Sequence, residues 1–525
     1  MTMSVLGPDT DIERGGVAQR RGVAGMAAFL IAYFLVGLAT LNDQHEWGGD
    51  FALYLSQARA LVESGSLLDP YFVHNPKSLW HSPINYPPVY PAMLAPFVAG
   101  FGLDLQVLKA PAWLAQCVSL LGLLLLIARL RSRETALATV LVFALNPFVW
   151  AYRQQIMSEF PFILISVFAL YAALLRENAK PRTLVLHSMV TGALIFIAFE
   201  TRSIGIVLLI AVLLHDLMRI ADRTVAIKAG VTLATFAVLL GVYQAGVRDV
   251  GYDDSSVGIC LRCAARNVAS YYKSLNYLIL DSFRIAGSKT VGYLVGLLAC
   301  ALTALGLGGA IVANYRAQAG GTARWRKAAR SLSPMELYLG GSLILLAILP
   351  FTYAPRSLLP LLPFGAFYLV HGIRAALSRV TARAGTWRWA VAGVLCVYLL
   401  GHWGPPWLAT PYRAAIGAAS PETRRLYDAV ARNVGPRDLI MVGKPRVFSL
   451  FTRRRATRWG SDVTPETLLA DVRARGVTHL IAGKPGSFLR TRGWMLDHGV
   501  VAANFTVVYE DALFRMWKFT GGPGR

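Results

Sequence analysis

Charged residues are scarce in this chain: Asp, Glu, Lys and Arg make up 15% of its 525 residues. Soluble globular proteins carry about a quarter. The scarcity comes with uncharged runs such as Val23–Leu41, whose 19 residues come close to spanning the roughly 30 Å of a bilayer core. A cleavable signal peptide would give one short run near the N-terminus, but similar runs recur up to about residue 405. The sequence therefore predicts an integral membrane protein.

Cysteine is also scarce, and the five residues do not form the framework of a disulfide-stabilised domain. Cys117, Cys300 and Cys396 lie in apolar runs and are expected to be small buried hydrophobic residues. Cys260 and Cys263 lie in a predicted external loop without a matching Cys or His pair nearby, which disfavours zinc. Their spacing leaves either a local disulfide or two free thiols.

The net charge of +23 would suggest a nucleic-acid partner in a soluble protein. Here the basic residues concentrate in short connections such as Arg129–Arg133 and Arg374–Arg388, as the positive-inside rule expects for cytoplasmic loops. The polar residues 1–21 fit a cytoplasmic tail by the same rule. We therefore predict membrane lipids, and no nucleic acid, as partners. High Ala, Arg, Gly and Val content favours a bacterial source, and with it the inner membrane.

Eleven apolar segments are candidate membrane spans. With the tail inside, an odd number of spans places the C-terminus outside. A further apolar stretch, Val89–Gly102, is assigned to the membrane interface, because another span there would break the alternation of loop charges. The eleven segments lie at about residues 22–42, 107–129, 134–151, 157–175, 184–200, 203–218, 228–247, 289–313, 336–352, 357–374 and 388–405.

Two long segments are predicted on the outer side, at residues 43–106 and 248–288. In the first, apolar residues from Phe51 to Val62 recur at helical spacing and Gly65 is a natural stop. This pattern predicts an amphipathic helix that lies at the lipid surface.

From Pro405 onward the composition is that of a soluble protein. Ser420 and Thr464, each followed by Pro and Glu, are typical of helix starts. The predicted architecture is a polytopic α-helical membrane protein with a small C-terminal α/β domain, divided into a tail (1–21), a membrane domain (22–405) and a periplasmic domain (406–525). Strand patterns occur at Arg437–Val442, Val477–Ala482, Phe505–Glu510 and Leu513–Phe519.

The first external loop carries the residues best suited to catalysis. Asp50 follows a pair of glycines, and its carboxylate could act as a general base on an acceptor hydroxyl or as the N-cap of the following helix. Glu46 and Asp43 are further candidate carboxylates, and either could hold a divalent cation. His45 fits a polar interfacial residue better than a base, and together with Glu46 it is assigned to substrate binding. No cofactor or metal ligand is assigned with certainty.

Two further outer turns carry aromatic and charged residues. The prolines of Tyr86-Pro-Pro-Val-Tyr90-Pro fix a rigid turn. Its two tyrosines could stack on sugar, line a lipid groove or belong to an interfacial aromatic belt. A short external turn holds Arg153, a candidate substrate contact, and Glu159. The Glu159 carboxylate is either a favourable charge at a helix start or a second carboxylate of the same cavity.

Arg202 and Arg356 lie near predicted outer ends of spans, in Glu200-Thr-Arg202 and Tyr353-Ala-Pro-Arg356. An arginine at such a position could clamp a lipid phosphate and stabilise the charge of a leaving group. Each side chain could instead extend to the lipid headgroups.

Taken in order, these motifs resemble those of the GT-C glycosyltransferases, which include the protein O-mannosyltransferases and the lipid A aminoarabinose transferases. The first loop is similar because Gly49-Asp50 is followed by an amphipathic helix with Ala58-Arg59. The resemblance covers roughly residues 25–375. The later motifs are Tyr86-Pro-Pro-Val-Tyr-Pro, Ser158-Glu159-Phe-Pro-Phe, Thr201-Arg202 with Gly205, and Arg356-Ser-Leu-Leu-Pro-Leu-Leu-Pro.

The resemblance implies a polyprenyl-phosphate sugar donor, inversion at the anomeric carbon, and an acidic residue of the first external loop in the active site. By position it implies Asp50 as the catalytic base and Glu159 as a second carboxylate of the cavity. Arg202 and Arg356 are then implied contacts of the phosphate.

The sequence departs from this group at two places. Asn85-Tyr86 stands where the aminoarabinose transferases have Glu-Lys before their double proline, so the resemblance supplies no such phosphate-binding lysine and leaves the identity of the sugar open. Gly49-Asp50 stands where the protein mannosyltransferases have an Asp-Glu pair.

The sequence thus predicts a glycosyltransferase (hexosyl or pentosyl) that uses a lipid-phosphate donor at the periplasmic face, with a glycan, lipid or protein acceptor. An outward-facing polar centre agrees with such a donor, because nucleotide sugars are not supplied there. A flippase of lipid-linked sugars would instead need ionisable residues at mid-span. Two more functions fit a membrane protein of this kind: a non-catalytic scaffold that binds envelope polymers, and a polymerase or ligase of lipid-linked glycans.

Overall fold

The structure is a computed structural model that describes residues 12–78, 86–177, 179–219, 223–246, 260–280, 289–317, 328, 330–350, 355–381, 385–402, 417–461, 463–484 and 499–521. Asn85, Tyr353, the predicted boundary at residue 405, and residues 248–259 and 281–288 of the second predicted outer loop lie outside these ranges. Up to His402 the described chain is helical, and the described strands all follow residue 438. The predicted fold class, a helical membrane protein with a small C-terminal α/β domain, is confirmed.

The helical part has a helix at each of the eleven predicted segments. Among the described residues, six helical stretches are long and apolar enough to cross a membrane, and four shorter apolar helices accompany them. The number of spans therefore stays a prediction. The helices are α1 (Ile12–Ala39), α2 (Gly49–Ser64), α3 (Val89–Phe101), α4 (Leu105–Leu130), α5 (Arg133–Ala144), α6 (Pro147–Tyr152), α7 (Glu159–Glu177), α8 (Pro181–Phe199), α9 (Ile206–Leu217), α10 (Arg223–Gly246), α11 (Ala264–Leu280), α12 (Lys289–Ala317), α13 (Pro334–Ile348), α14 (Leu362–Val380) and α15 (Thr386–His402).

Local polar groups decide where these helices break. The predicted segment 134–151 is divided into α5 and α6 because Asn146 starts a new helix, with Pro147 at its first position. The Asn146 side-chain oxygen accepts from the backbone N–H groups of Phe148 and Val149, at 3.0 and 3.2 Å. The break leaves α6 as a short helix that leads directly to the turn before Glu159.

Helix α2 forms where the sequence predicts it, and Gly65 ends it in the left-handed conformation, with φ of 70°. Every residue from Phe51 to Ala60 is buried, including the polar ones. The predicted position at the lipid surface is therefore wrong. Protein covers the polar face instead: Arg59 donates from Nη1 to the Leu450 carbonyl of the C-terminal domain at 2.8 Å.

In the described part of the C-terminal domain, five strands form a sheet in the order β2-β1-β3-β5-β4, with β2, β1 and β3 parallel and β5 antiparallel to both β3 and β4. Ser420 and Thr464 cap helices that have Pro at the first position, which confirms both predicted helix starts. All four predicted strands are present; β2, with three residues, was missed. The elements are α16 (Pro421–Asn433), β1 (Leu439–Val442), α17 (Pro445–Thr452), β2 (Arg455–Thr457), α18 (Pro465–Arg475), β3 (His479–Gly483), α19 (Gly499–Asn504), β4 (Phe505–Glu510) and β5 (Phe514–Phe519).

This domain is joined to the first external loop by backbone hydrogen bonds. Phe72 forms a parallel bridge with Ala456, so that the loop adds to the edge of the sheet at β2. The Ala418 N–H donates to the His45 carbonyl at 2.8 Å. Trp47, 1% exposed, packs against Phe448 of α17, with ring centroids 6.0 Å apart. The loop and the domain therefore share one core, which holds α17 over α2.

Candidate active site

Asp50 lies in the first turn of α2 but does not cap the helix. The N-cap is Gly48, and the helix begins at Gly49, so the N-cap interpretation of Asp50 is wrong. Its carboxylate instead accepts from the Tyr86 hydroxyl at 2.6 Å and from Nη1 of Arg356 at 2.6 Å. Two segments distant in sequence thus fix its orientation.

Arg356 joins the two carboxylates that the sequence singled out. It begins the short 3-10 helix Arg356–Leu361 that leads into α14. Nη1 contacts Asp50, while Nε lies 2.9 Å from Oε1 of Glu159. Arg202 also reaches Glu159, with Nη1 2.7 Å from the same oxygen. The structure thus brings together four residues from four separate segments: Asp50, Glu159, Arg202 and Arg356 form what we call the charged cluster.

Glu159 is the buried centre of the charged cluster. It is fully buried at the first position of α7, where the positive end of the helix dipole favours a carboxylate. The side chains of Asp50, Arg202 and Arg356 are between 20% and 28% exposed, so a ligand can reach them. A buried carboxylate with two arginines at its open side can hold both guanidinium groups in place for an anion.

Three tyrosines form a wall beside the charged cluster. Tyr54 stacks on Tyr86 with centroids 4.6 Å apart and meets Tyr90 edge-on at 4.9 Å. The Tyr54 hydroxyl is 2.8 Å from Oγ of Ser158, which also accepts from Nη1 of Arg202 at 3.0 Å. Tyr54 was not among the predicted site residues. The available signal was its position four residues after Asp50, which puts both on one face of a helix.

The local charges decide the ionisation of Asp50. Burial alone would favour the neutral carboxyl, but the Arg356 guanidinium and the Tyr86 hydrogen bond outweigh it and lower the pKa of Asp50 to about 2. The carboxylate is therefore ionised at neutral pH. While it is paired with Arg356 it is also a weak base.

His45 and Arg153, both predicted substrate contacts, lie in the framework around the site. Nε2 of His45 accepts from the Ile156 N–H at 3.1 Å and Nδ1 lies 2.9 Å from the Glu46 carbonyl oxygen. Burial lowers the pKa of His45 to about 3, which keeps the ring neutral. Arg153 stacks on Trp150, with its guanidinium carbon 4.0 Å from the ring centroid. The Glu46 side chain is half-buried in the same loop.

Lys109 is a framework residue that the sequence reasoning missed. It is fully buried in α4, and its ammonium donates to the carbonyls of Asn42 and Gln44 at 2.7 and 2.6 Å. It also donates to the side-chain oxygen of Asn42 at 3.1 Å. The sequence did indicate it, because an ionisable residue inside an apolar span costs free energy unless it has a specific partner. Lys109 fixes the start of the loop that carries Asp50.

The sequence left open whether Glu46 or Asp43 holds a divalent cation. The described residues offer no set of ligands for one. Within the described ranges, no group of three or more His, Cys, Asp or Glu residues lies close enough to hold a metal ion. Cys260 and Cys263 form a disulfide, so this pair is not two free thiols.

The fold is similar to that of several solved glycosyltransferases. ArnT from Cupriavidus metallidurans bound to undecaprenyl phosphate matches with a TM-score of 0.59 and 14% identity, over 94% of this chain and 98% of that one. The arabinofuranosyltransferase AftD from mycobacteria matches with a TM-score of 0.54 and 12% identity, over 95% of this chain and 42% of that one.

The third likeness is to the Archaeoglobus fulgidus oligosaccharyltransferase AglB, in complex with an inhibitory peptide and a dolichol-phosphate. Its TM-score is 0.51 and its identity 12%, over 87% of this chain and 69% of that one. No protein-family model and no curated protein sequence matches the chain. The chain shares its fold with these three glycosyltransferases, as the resemblance of its motifs implies.

Proposed function

We propose that this protein is an inverting glycosyltransferase that transfers a sugar from a polyprenyl phosphate to a cell-envelope acceptor. The observation that carries the proposal is the position of Arg356 between Asp50 and Glu159. This position supports the proposal because a guanidinium, which suits phosphate, lies directly beside a carboxylate that can receive a proton. ArnT and AglB, which share the fold, have been solved with undecaprenyl phosphate and a dolichol-phosphate.

In this proposal Arg202 and Arg356 bind the phosphate of the donor. Guanidinium groups suit this task because their planar donors match phosphate oxygens and stay charged at every relevant pH. Both arginines contact Glu159, which holds them against the start of α7. As the bond to the sugar breaks, negative charge grows on the phosphate, and fixed cations stabilise that charge.

The reaction is a displacement at the anomeric carbon. An acceptor hydroxyl attacks this carbon, its oxygen forms the new glycosidic bond, and its proton passes to Asp50. The bond between the anomeric carbon and the phosphate oxygen breaks, and polyprenyl phosphate leaves with the bonding electrons. Because attack and departure occur on opposite faces of the sugar, the configuration inverts.

Donor binding would also change the basicity of Asp50. The phosphate gives Arg356 a third anion to contact, beside Asp50 and Glu159, which weakens the pull of the guanidinium on Asp50. The carboxylate then becomes a stronger base when donor is present. This arrangement favours donor binding before the acceptor reacts.

The orientation of the protein is part of the proposal. The charges of the short loops support a cytoplasmic tail. With that orientation, the charged cluster and the C-terminal domain face the periplasm of a bacterial inner membrane. The donor remains in the bilayer and presents its sugar at that face.

The test replaces Asp50 with Asn in the full chain, reconstituted with purified polyprenyl-phosphate sugars and envelope acceptors. General-base catalysis contributes about 10²- to 10⁴-fold, so turnover should fall by that factor with donor binding retained. Asp43→Asn is the matched control, since Asp43 lies in the same loop with an exposed carboxylate. Near-normal transfer by Asp50→Asn would remove its assigned role, and no transfer by the unmodified protein across the panel would contradict the proposed function.

A further inference from the structure

Two arginines lie together at the end of the membrane domain that is opposite to the charged cluster. Helix α14 follows the 3-10 helix of Arg356 and carries Arg374 near its other end. There Nη1 of Arg374 donates to Oγ1 of Thr135, in the first turn of α5, at 3.4 Å. Arg131, the C-cap residue of α4, directly precedes Ser132, the N-cap residue of α5. We call Arg131, Arg374 and the first turn of α5 the distal arginine site.

Hydroxyl groups at the start of α5 connect the two arginines. Oγ1 of Thr135, which accepts from Arg374, lies 3.0 Å from Oγ of Ser132, the residue after Arg131. The ring of His371, one turn before Arg374 on α14, lies within electrostatic reach of both guanidinium groups. The two guanidinium groups therefore lie around the same ring at the start of one helix.

Both guanidinium groups have N–H donors to spare. A guanidinium is a planar set of donors, each of which needs an acceptor. Among the described contacts, Arg131 donates to the Leu130 carbonyl and Arg374 donates to Thr135, each at 3.4 Å. Nε of Arg131 is buried and has no acceptor in the described part of the chain. A buried donor without an acceptor costs free energy, and in native proteins it commonly marks the place of a bound group.

The described contacts of the two arginines include no carboxylate. Glu134, in the first turn of α5, pairs with Arg388 of α15 instead. Glu336 of α13 accepts from the Tyr368 hydroxyl at 2.6 Å. The sequence has no Asp or Glu between Glu336 and Glu422, so α14, α15 and the segment that joins them supply none. The distal arginine site therefore keeps an excess of positive charge.

Two large apolar side chains at the same end are exposed, as expected where helices meet lipid. Val380, the last residue of α14, and Trp389, in the first turn of α15, are each 81% exposed. Tryptophan is typical of the boundary between hydrocarbon and headgroups, which is the level of the lipid phosphates. Helix α15 packs against both α14 and α5, the two helices that form the site. An anion that comes from the membrane can therefore reach the two arginines.

We propose that the distal arginine site binds the phosphate of an anionic phospholipid such as phosphatidylglycerol. Arg131 and Arg374 donate to the phosphate oxygens, for which planar guanidinium groups are well suited. The first two backbone N–H groups of α5 have no acceptor among the described contacts, and a helix N-terminus favours an anion. The proposal does not depend on the transferase function, because the charged cluster lies at the other end of α14.

The test follows hydrogen exchange of the full chain in nanodiscs by peptide mass spectrometry. Discs of phosphatidylcholine, which has no net charge, are compared with discs in which phosphatidylglycerol replaces part of it. At a phosphatidylglycerol content of about four times the apparent Kd, exchange at the start of α5 should slow about fivefold, because the lipid must leave before the helix opens. Peptides from α16, in the C-terminal domain, are the internal control and should exchange equally in both discs.

Variants separate a specific site from the general attraction of basic loops to anionic lipid. Arg131→Gln and Arg374→Gln should each bind phosphatidylglycerol about tenfold more weakly, because charge-assisted hydrogen bonds are lost. The protection should then fall to about 1.4-fold at the same lipid content. Arg379→Gln removes the same charge from an exposed position at the same end of α14 and should keep the fivefold protection. Equal exchange of the unmodified protein in both discs, or equal protection in all three variants, would overturn the proposal.

A further arm distinguishes a lipid phosphate from a soluble one. Inorganic phosphate is added to the unmodified protein in discs of phosphatidylcholine alone. Protection by phosphatidylglycerol that inorganic phosphate does not reproduce supports the lipid assignment. Protection by inorganic phosphate that equals or exceeds that of phosphatidylglycerol would overturn it.

Discussion

Nε of Arg356 lies 2.9 Å from the fully buried carboxylate of Glu159. The guanidinium is therefore held from its inner side, while Nη1 reaches outward to Asp50. One side chain thus sets the distance between a buried acid and a partly exposed one. The first prediction concerns this arginine.

Replacing Arg356 with Met should weaken binding of undecaprenyl phosphate by about 10- to 100-fold, since hydrogen bonds between charged groups contribute about 1.5–3 kcal/mol. Arg356→Lys should give an intermediate affinity, because an ammonium cannot reproduce the separate Nε and Nη1 contacts. Affinity can be measured by titration of the lipid into reconstituted protein. Arg424→Met, an exposed arginine outside the charged cluster, is the control. Equal affinities in all four proteins would contradict the assignment.

Lys109 offers a test of the framework. In Lys109→Met the oxygens of Asn42 and Gln44 lose a buried donor, and each unsatisfied group costs about 1–3 kcal/mol. We expect a lower melting temperature and faster proteolysis within residues 42–50. Thermal unfolding and limited proteolysis in nanodiscs measure both. Gln106→Met, one turn earlier on α4 and exposed, should leave both unchanged. A variant at Lys109 with the stability of the unmodified protein would show that the loop is held by other contacts.

Much of the charged cluster could be predicted because its members lie at or beside the ends of apolar segments that the loop charges assign to one side. Glu159, Arg202 and Arg356 follow from the positions of the spans, and Asp50 from the loop after the first span. Once the segments pack as antiparallel helices, these ends meet. The positions of these residues in the sequence were therefore enough to predict that they lie together. It was not necessary to know which helices are neighbours.

The sequence could not show in this way that the C-terminal domain, and not lipid, covers α2. Its apolar spacing fits a lipid surface as well as a protein surface, and only the fold places α17 on its other face. Arg446 was missed for the same reason. It lies in the C-terminal domain, almost four hundred residues after Asp50, and its charge acts on Asp50. Contacts between that domain and the first loop, among them those of Phe72 with Ala456 and of Trp47 with Phe448, bring the two together.

A third prediction concerns the opposite ends of the helices, where Arg176 of α7 is fully buried and contacts Asp216 of α9 at 2.8 Å. Removing one member of a buried ion pair leaves an uncompensated charge and costs about 3–5 kcal/mol. Arg176→Met and Asp216→Leu should each lower the melting temperature strongly. The double variant should regain much of the loss, because no unpaired charge remains.

The same variants test whether stability and ligand binding are separate properties. The pair makes no contact with the charged cluster among the interactions described, so folded Arg176→Met should bind undecaprenyl phosphate normally. Thermal unfolding and lipid titration on one preparation give both values. A double variant as unstable as the sum of the single ones would contradict the ion-pair argument.

The last prediction concerns the pH dependence of transfer. The Tyr86 hydrogen bond is one of the contributions that lower the pKa of Asp50 to about 2, so Tyr86→Phe should raise this pKa. Asp50 accepts a proton only when ionised, hence activity falls as the pH drops through its pKa. A hydrogen bond to a charged group contributes about 1.5–3 kcal/mol, which corresponds to about one to two pKa units. The acidic limb of the pH profile of kcat/KM should therefore shift to higher pH by about one to two units. The rate above about pH 6 should change little.

Tyr90→Phe serves as the control for this profile, since Tyr90 belongs to the same aromatic wall but does not bond to Asp50 in the described contacts. Its acidic limb should coincide with that of the unmodified protein. If Tyr86→Phe leaves the limb unmoved, Asp50 is not the group whose ionisation controls transfer. Because the ring of Phe retains the stacking on Tyr54, such a result could not be attributed to loss of the wall itself.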